Sequence, residues 1–120
     1  MIPLHRKVAR GRAVKSSWDE LKLILDSKET MGGSITILVG TLEAYSKVSI
    51  EASRSVERVY YVIEGFGKVV LSLSEGEERV FIGKGDTLYV PPGIAHTIYN
   101  TGDGRLTLLI MLFPIRALRI

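Results

Sequence analysis

An all-β sandwich or barrel is the fold class this sequence predicts. Three observations carry the prediction. Short runs rich in Val, Ile, Thr and Tyr recur along the chain, turn clusters of Gly, Pro, Asp and Ser separate them, and no long segment has helical periodicity. At 120 residues the chain is sized for one domain around one core. Residues 1–16 read as a basic N-terminal arm and residues 17–120 as the barrel domain.

In chain order, the first candidate feature is Ser17-Trp18-Asp19-Glu20, which has the S-x-x-E spacing of a helix capping box and predicts a short helical turn. Leu21, Leu23 and Leu25 then alternate with Lys22, Ile24 and Asp26, which predicts a strand. Ser27 to Gly33 reads as a turn. Ser34 to Glu43 is rich in β-branched residues and reads as a strand, and Lys47 to Glu51 alternates again. Ala52 to Val56 is a polar connector before the strand Glu57 to Glu64. Lys68–Leu73 and Arg79–Ile82 form a hairpin across the four-residue loop Ser74-Glu75-Gly76-Glu77. Gly83–Asp86 and Thr101–Gly104 are further turns. Leu106 to Phe113, almost continuously apolar, reads as a strand buried on both faces, its outer face covered by a partner subunit or by Ile115 to Ile120. Trp18 is expected to pack as a core or edge aromatic.

Thr87–Val90 and Ala95–Tyr99 flank the sharpest signal in the chain. Pro91-Pro92-Gly93 forces a reversal in which Pro92 presets φ and Gly93 takes the positive φ of a type II turn. The returning strand delivers His96 just past the turn.

Composition narrows the function classes. There are no cysteines, so neither disulfides nor thiolate metal sites arise. No apolar run approaches membrane-span length, and the first residues lack the apolar core of a secretory signal, so a soluble, cytoplasmic protein is expected. The formal charge of +3 owes much to Arg6, Lys7, Arg10, Arg12 and Lys15. Such an arm touches nucleic acid or anionic lipid in some proteins, but here no aromatic residues interleave with the charges, so a solvated or dimer-packed terminus is expected and nucleic acid and membrane are disfavoured as partners. His5 is expected to be solvated. The absence of Gln and Cys beside a single Asn matches the bias of thermophile proteins.

Gly85, Pro91, Gly93, His96 and Asn100 keep every spacing of the second cupin motif, G-x5-P-x-G-x2-H-x3-N, and Tyr60 to Gly67 resembles the end of the first motif. From about Leu21 to Phe113 the chain resembles a small cupin barrel. The resemblance implies a double-stranded β-helix, or jelly roll, and a homodimer. It also implies a metal site of two histidines and a glutamate from the first motif with one histidine from the second. His96 matches that last ligand. Counting back from Gly65, however, Arg58 stands at the glutamate position and Tyr45 at the leading glycine. Glu51 and Ser53 stand at the two histidine positions, or Ala52 and Arg54 with the shorter spacer.

Arginine is a permanent cation and donates only, so it ligates no metal. Strand alternation puts Arg58, Tyr60 and Val62 on one face, which the family pattern makes the interior. The expectation is a metal-free site. In one form, a Glu51–Arg58 ion pair near His96 replaces the metal and holds the barrel mouth. In the other, Arg58, His96, Tyr60 and Glu51 bind a small anion such as a carboxylate or phosphate. The alternative to a metal-free site is a bulge that turns Glu57 inward to make a poor divalent-metal site with Glu51 and His96. Three functions follow: a small-molecule-binding cupin, a cupin enzyme, or a dimeric interaction or sensor module. The enzyme reading covers an isomerase, a metal-dependent dioxygenase, or an epimerase with His96 as base and Tyr60 as acid. Asn100 is expected to stabilise its turn rather than touch ligand.

Overall fold

The computed structural model describes residues 4–7 and 10–115. Among these residues ten strands form two antiparallel sheets. The strands are β1 (Arg12–Ala13), β2 (Glu20–Leu25), β3 (Thr36–Leu42), β4 (Lys47–Ile50), β5 (Val56–Glu64), β6 (Phe66–Leu73), β7 (Gly76–Gly83), β8 (Thr87–Val90), β9 (His96–Asn100) and β10 (Leu106–Pro114). The larger sheet runs β1-β2-β3-β10-β5-β8 and the smaller β4-β9-β6-β7, so neighbours in sequence often lie in opposite sheets, as in a jelly roll. Among the described residues, no helix is long and apolar enough to cross a membrane.

The core lies between the sheets. Leu42, Val48, Tyr60, Val62, Val69, Val90, Ile98, Leu106 and Leu108 point inward and are almost completely buried. Each such apolar side chain contributes about 1.5–3 kcal/mol relative to an exposed one. Trp18 packs against this core and lies over Gly40, as the sequence predicts.

Four elements differ from the sequence reading. Ser17–Glu20 makes no helical turn. The Asp19 carboxylate instead accepts from the Glu43 N–H at 2.7 Å, binding the approach to β2 onto the end of β3. The capping box is formed nearby by Asp26 and Glu29 around the 3-10 turn Ser27–Glu29. The β6–β7 loop has two residues, Ser74 and Glu75, because Leu73 already pairs with Gly76, whose φ is 126°. In β10, Leu106, Leu108 and Ile110 are buried but the alternate Thr107, Leu109 and Met111 are only half-buried, so one face of that strand is partly open. Cover from residues 116–120 falls outside the described residues.

The arm is not simply solvated. Arg6 donates to both Glu29 oxygens (2.8 and 3.1 Å) and to the Ile24 carbonyl at 2.7 Å, and β1 pairs with β2. His5 is exposed.

Candidate functional site

The motif turn folds as its residues dictate. Gly93 has φ of 85°, the left-handed value a type II turn requires, and its N–H donates to the Ser53 carbonyl at 2.7 Å. This bond ties the turn to the connector before β5. His96 follows as the first residue of β9 and is 2% exposed. Asn100 ends the strand with four side-chain hydrogen bonds. Its amide donates to the carbonyls of Leu42, Glu43 and Gly104 at 3.0, 3.0 and 2.7 Å, and its oxygen accepts from the Gly102 N–H at 3.0 Å. The turn-stabilising role expected of Asn100 is the one it has.

Tyr60 comes from the middle of β5 in the other sheet and is 1% exposed. Its hydroxyl lies 2.7 Å from Nε2 of His96, and the two rings meet edge to face. Nδ1 of His96 is 3.0 Å from the Ile94 carbonyl. A carbonyl only accepts, so Nδ1 carries the proton and Nε2 accepts from Tyr60. Burial holds the His96 pKa below its ordinary value, the Ile94 bond opposes this, and the Arg58 charge adds to it. Burial pushes the Tyr60 phenol up to about 12, against the pull of the Arg58 guanidinium, which acts by charge and as a hydrogen-bonding partner. Both groups are therefore neutral near pH 7: a proton donor satisfied by a proton acceptor.

Arg58 shares the inward-facing side of β5 with Tyr60 and is half-buried. The structure brings Arg58, Tyr60 and His96 together but not the two glutamates. Glu51 is exposed, and the ion pairs among the described residues join Arg6 to Glu29, Arg12 to Asp26 and Arg105 to Glu43, not Glu51 to Arg58. The expected Glu51–Arg58 pair does not form, because Glu51 lies past the end of β4 in the connector that the Gly93 turn holds. Glu57 does not turn inward either. The register shift in β5 falls opposite Thr107/Leu108, at the far end of the strand, and Glu57 stays on the face where it hydrogen-bonds the Tyr89 hydroxyl.

A cupin metal does not fit these residues. The one imidazole in the ligand position spends Nε2 on Tyr60, a guanidinium stands beside it, and no three His, Asp or Glu side chains converge among the described residues. Tyr60 and His96, the acid–base pair expected of an epimerase, hydrogen-bond each other directly in this structure. Sequence reasoning missed the Ile94 carbonyl that fixes the tautomer, a contact made by a local bend that no side-chain pattern signals.

Residues 40–112 match the family model of the cupin domain. The chain belongs to the cupin family. Among curated relatives, an uncharacterized protein of Methanocaldococcus jannaschii is 35% identical over 69 residues, covering 58% of this chain and 52% of that protein. The glucose-6-phosphate isomerase of Pyrococcus horikoshii is 38% identical over 66 residues, covering 54% of this chain and 35% of the enzyme. This cupin thus spans only about half, and about a third, of the length of these relatives. Among solved structures, a Thermotoga maritima protein described as a predicted oxalate decarboxylase superposes with a TM-score of 0.77 at 20% identity, covering 93% of this chain and all of that one. The cupin domain of Schizosaccharomyces pombe Cnp3 superposes at 0.74 and 12% identity, covering 93% of this chain and 74% of that one. At these identities the structural likeness speaks for the jelly-roll fold.

Proposed function

We propose that this cupin binds a small anionic molecule, a carboxylate or phosphate, at Arg58 on the inner wall of the barrel, without a metal ion. The observation that carries the reading is Arg58 itself: a half-buried guanidinium, aimed toward the interior, with no carboxylate partner among the described residues. A partly desolvated cation without a counter-charge is costly, and an anion that accepts two of its donors relieves that cost. The Tyr60–His96 pair beneath it is neutral and fully bonded, so it forms a polar floor rather than a competing charge. The isomerase relative supports the ligand class, since its name gives a hexose phosphate as substrate.

The test is calorimetric titration of the full chain with inorganic phosphate, oxalate and glucose 6-phosphate in turn. At least one is expected to bind, and Arg58→Gln is expected to weaken it tenfold or more with little change in thermal stability. Binding that survives Arg58→Gln sinks the assignment. Near-stoichiometric iron, manganese, nickel or zinc by elemental mass spectrometry sinks its metal-free part.

A homodimer is a second reading, favoured by the outer face of the larger sheet. There Tyr89, Val59, Met111 and Ile37 stand opposite one another across four strands, with Tyr89 52% exposed. An apolar row of this kind suits a second copy of the chain. Sedimentation velocity should show a dimer that Met111→Glu converts to monomer; a monomeric parent overturns the reading.

A further inference from the structure

The smaller sheet turns one side to the core and the other to solvent, and register decides what the solvent side carries. Lys47 stands opposite Tyr99, Tyr99 opposite Lys68, and Lys68 opposite Phe81. One row crossing all four strands therefore reads Lys, Tyr, Lys, Phe. The next row reads Ser49, Thr97, Val70, Arg79. Nζ of Lys68 and Nζ of Lys47 sit 4.9 and 5.8 Å from the centre of the Tyr99 ring. No carboxylate pairs with Lys47, Lys68 or Arg79 among the described residues. Phe81, at the end of the row, is 75% exposed, more than any other large apolar side chain described.

These facts ask for one kind of ligand. Cation–π attraction positions the two ammonium groups without neutralising them, so their charge stays available. An exposed aromatic ring beside them offers a flat apolar face at little entropic cost. A ligand that alternates anionic groups with flat rings answers both. We propose that the outer face of the four-stranded sheet binds single-stranded nucleic acid, with Lys47, Lys68 and Arg79 holding phosphates and a base stacked on Phe81. A duplex hides its base faces and leaves Phe81 without a partner. Glu75, Glu77 and Glu78 mark the hairpin end of β7, so the strand crosses the sheet along the Lys47–Phe81 row rather than following β7 to its tip. Nothing in the row reads base edges, so recognition is tolerant of sequence. The site is separate from Arg58, which lies on β5 in the other sheet and faces the interior.

The experiment is fluorescence anisotropy of the full chain with labelled 15-nucleotide oligo(dT), oligo(U) and a duplex of the same length, over a range of salt. The single strands are expected to bind more tightly than the duplex; preference for one of them identifies DNA or RNA as the source. Phe81→Ala should weaken binding about tenfold and Phe81→Trp should restore it, as stacking requires. Lys47→Ala with Lys68→Ala should lower the slope of log affinity against log salt by roughly 1.4, at about 0.7 per lost phosphate contact. Lys47, Lys68 and Phe81 stand in one row on the solvent side of the sheet, and thermal melts of the variants confirm folding. No binding by the parent, equal binding of duplex, or full binding by Phe81→Ala overturns the proposal. Loss confined to Lys7→Ala with Arg10→Ala also overturns it, by assigning the affinity to the arm.

Discussion

The two motif segments lie side by side, with Arg58 of β5 opposite Val90 of β8, yet they keep different residues. The second segment, Gly85 to Asn100, matches the cupin motif throughout, and its residues serve the backbone. Gly93 supplies a positive φ, and Asn100 satisfies three carbonyls and an N–H. The first segment, Glu51 to Gly65, matches only at its end. Gly65 has φ of 88°, and a Cβ there would run into the Arg105 carbonyl. The positions that would have served a metal hold Glu51, Ser53 and Arg58 instead. The chain agrees with the family where geometry demands a residue and departs where a metal would. His96 is the instructive middle case: it keeps the ligand's place but gives Nε2 to Tyr60.

The comparison is sharpest at Asn100. Asn100→Ala should destabilise the fold by about 4 kcal/mol in urea denaturation, because it strands a buried N–H and several carbonyls at once. Arg58→Gln, one strand over from the motif turn, should change stability by less than about 1 kcal/mol, since no ion pair is lost. Equal costs at the two sites would mean that both segments are structural and that Arg58 is not held for a ligand.

Much of this was legible in the sequence. Strand order followed from alternation and β-branched runs, the type II turn from Pro92-Gly93, and the inward face of Arg58 and Tyr60 from period-two spacing and the family pattern, while β7 begins at Gly76, before the run from Arg79 that the sequence marks. What was not legible depends on partners distant in the chain. Ser17–Glu20 has capping-box spacing, but the Glu43 N–H and the space over Gly40 claim Asp19 and Trp18 first. Glu51 has the charge to pair with Arg58 but not the position. The Lys47–Tyr99–Lys68–Phe81 row spans residues 47 to 81 to 99 and exists only once three strand pairings set the register. The basic arm shows no aromatic interleaving; the sheet assembles it from elsewhere.

The smallest effect tests the middle case. The His96 pKa is depressed in the folded chain, so below its ordinary value of 6.5 the unfolded chain binds the proton more readily than the native one. Stability contributed by neutral His96 is therefore complete above about pH 6.5 and is lost as pH falls toward the folded pKa. Glu29, whose carboxyl is held down to about 2 by Arg6, titrates lower and leaves the window from pH 6.5 to 5 to the histidine. Denaturation midpoints should fall across that window in the parent chain, and the slope should vanish in His96→Asn. Tyr60→Phe removes the donor to Nε2 and some of the reason to stay neutral, so it should flatten the slope while lowering stability at pH 7 by about 1–2 kcal/mol. A parent midpoint that does not move between pH 7 and 5 would mean that imidazolium is accommodated beside Arg58. In that event the Tyr60 hydroxyl would have to turn its oxygen to the ring, and the neutral floor argued for the anion site would carry a charge of its own.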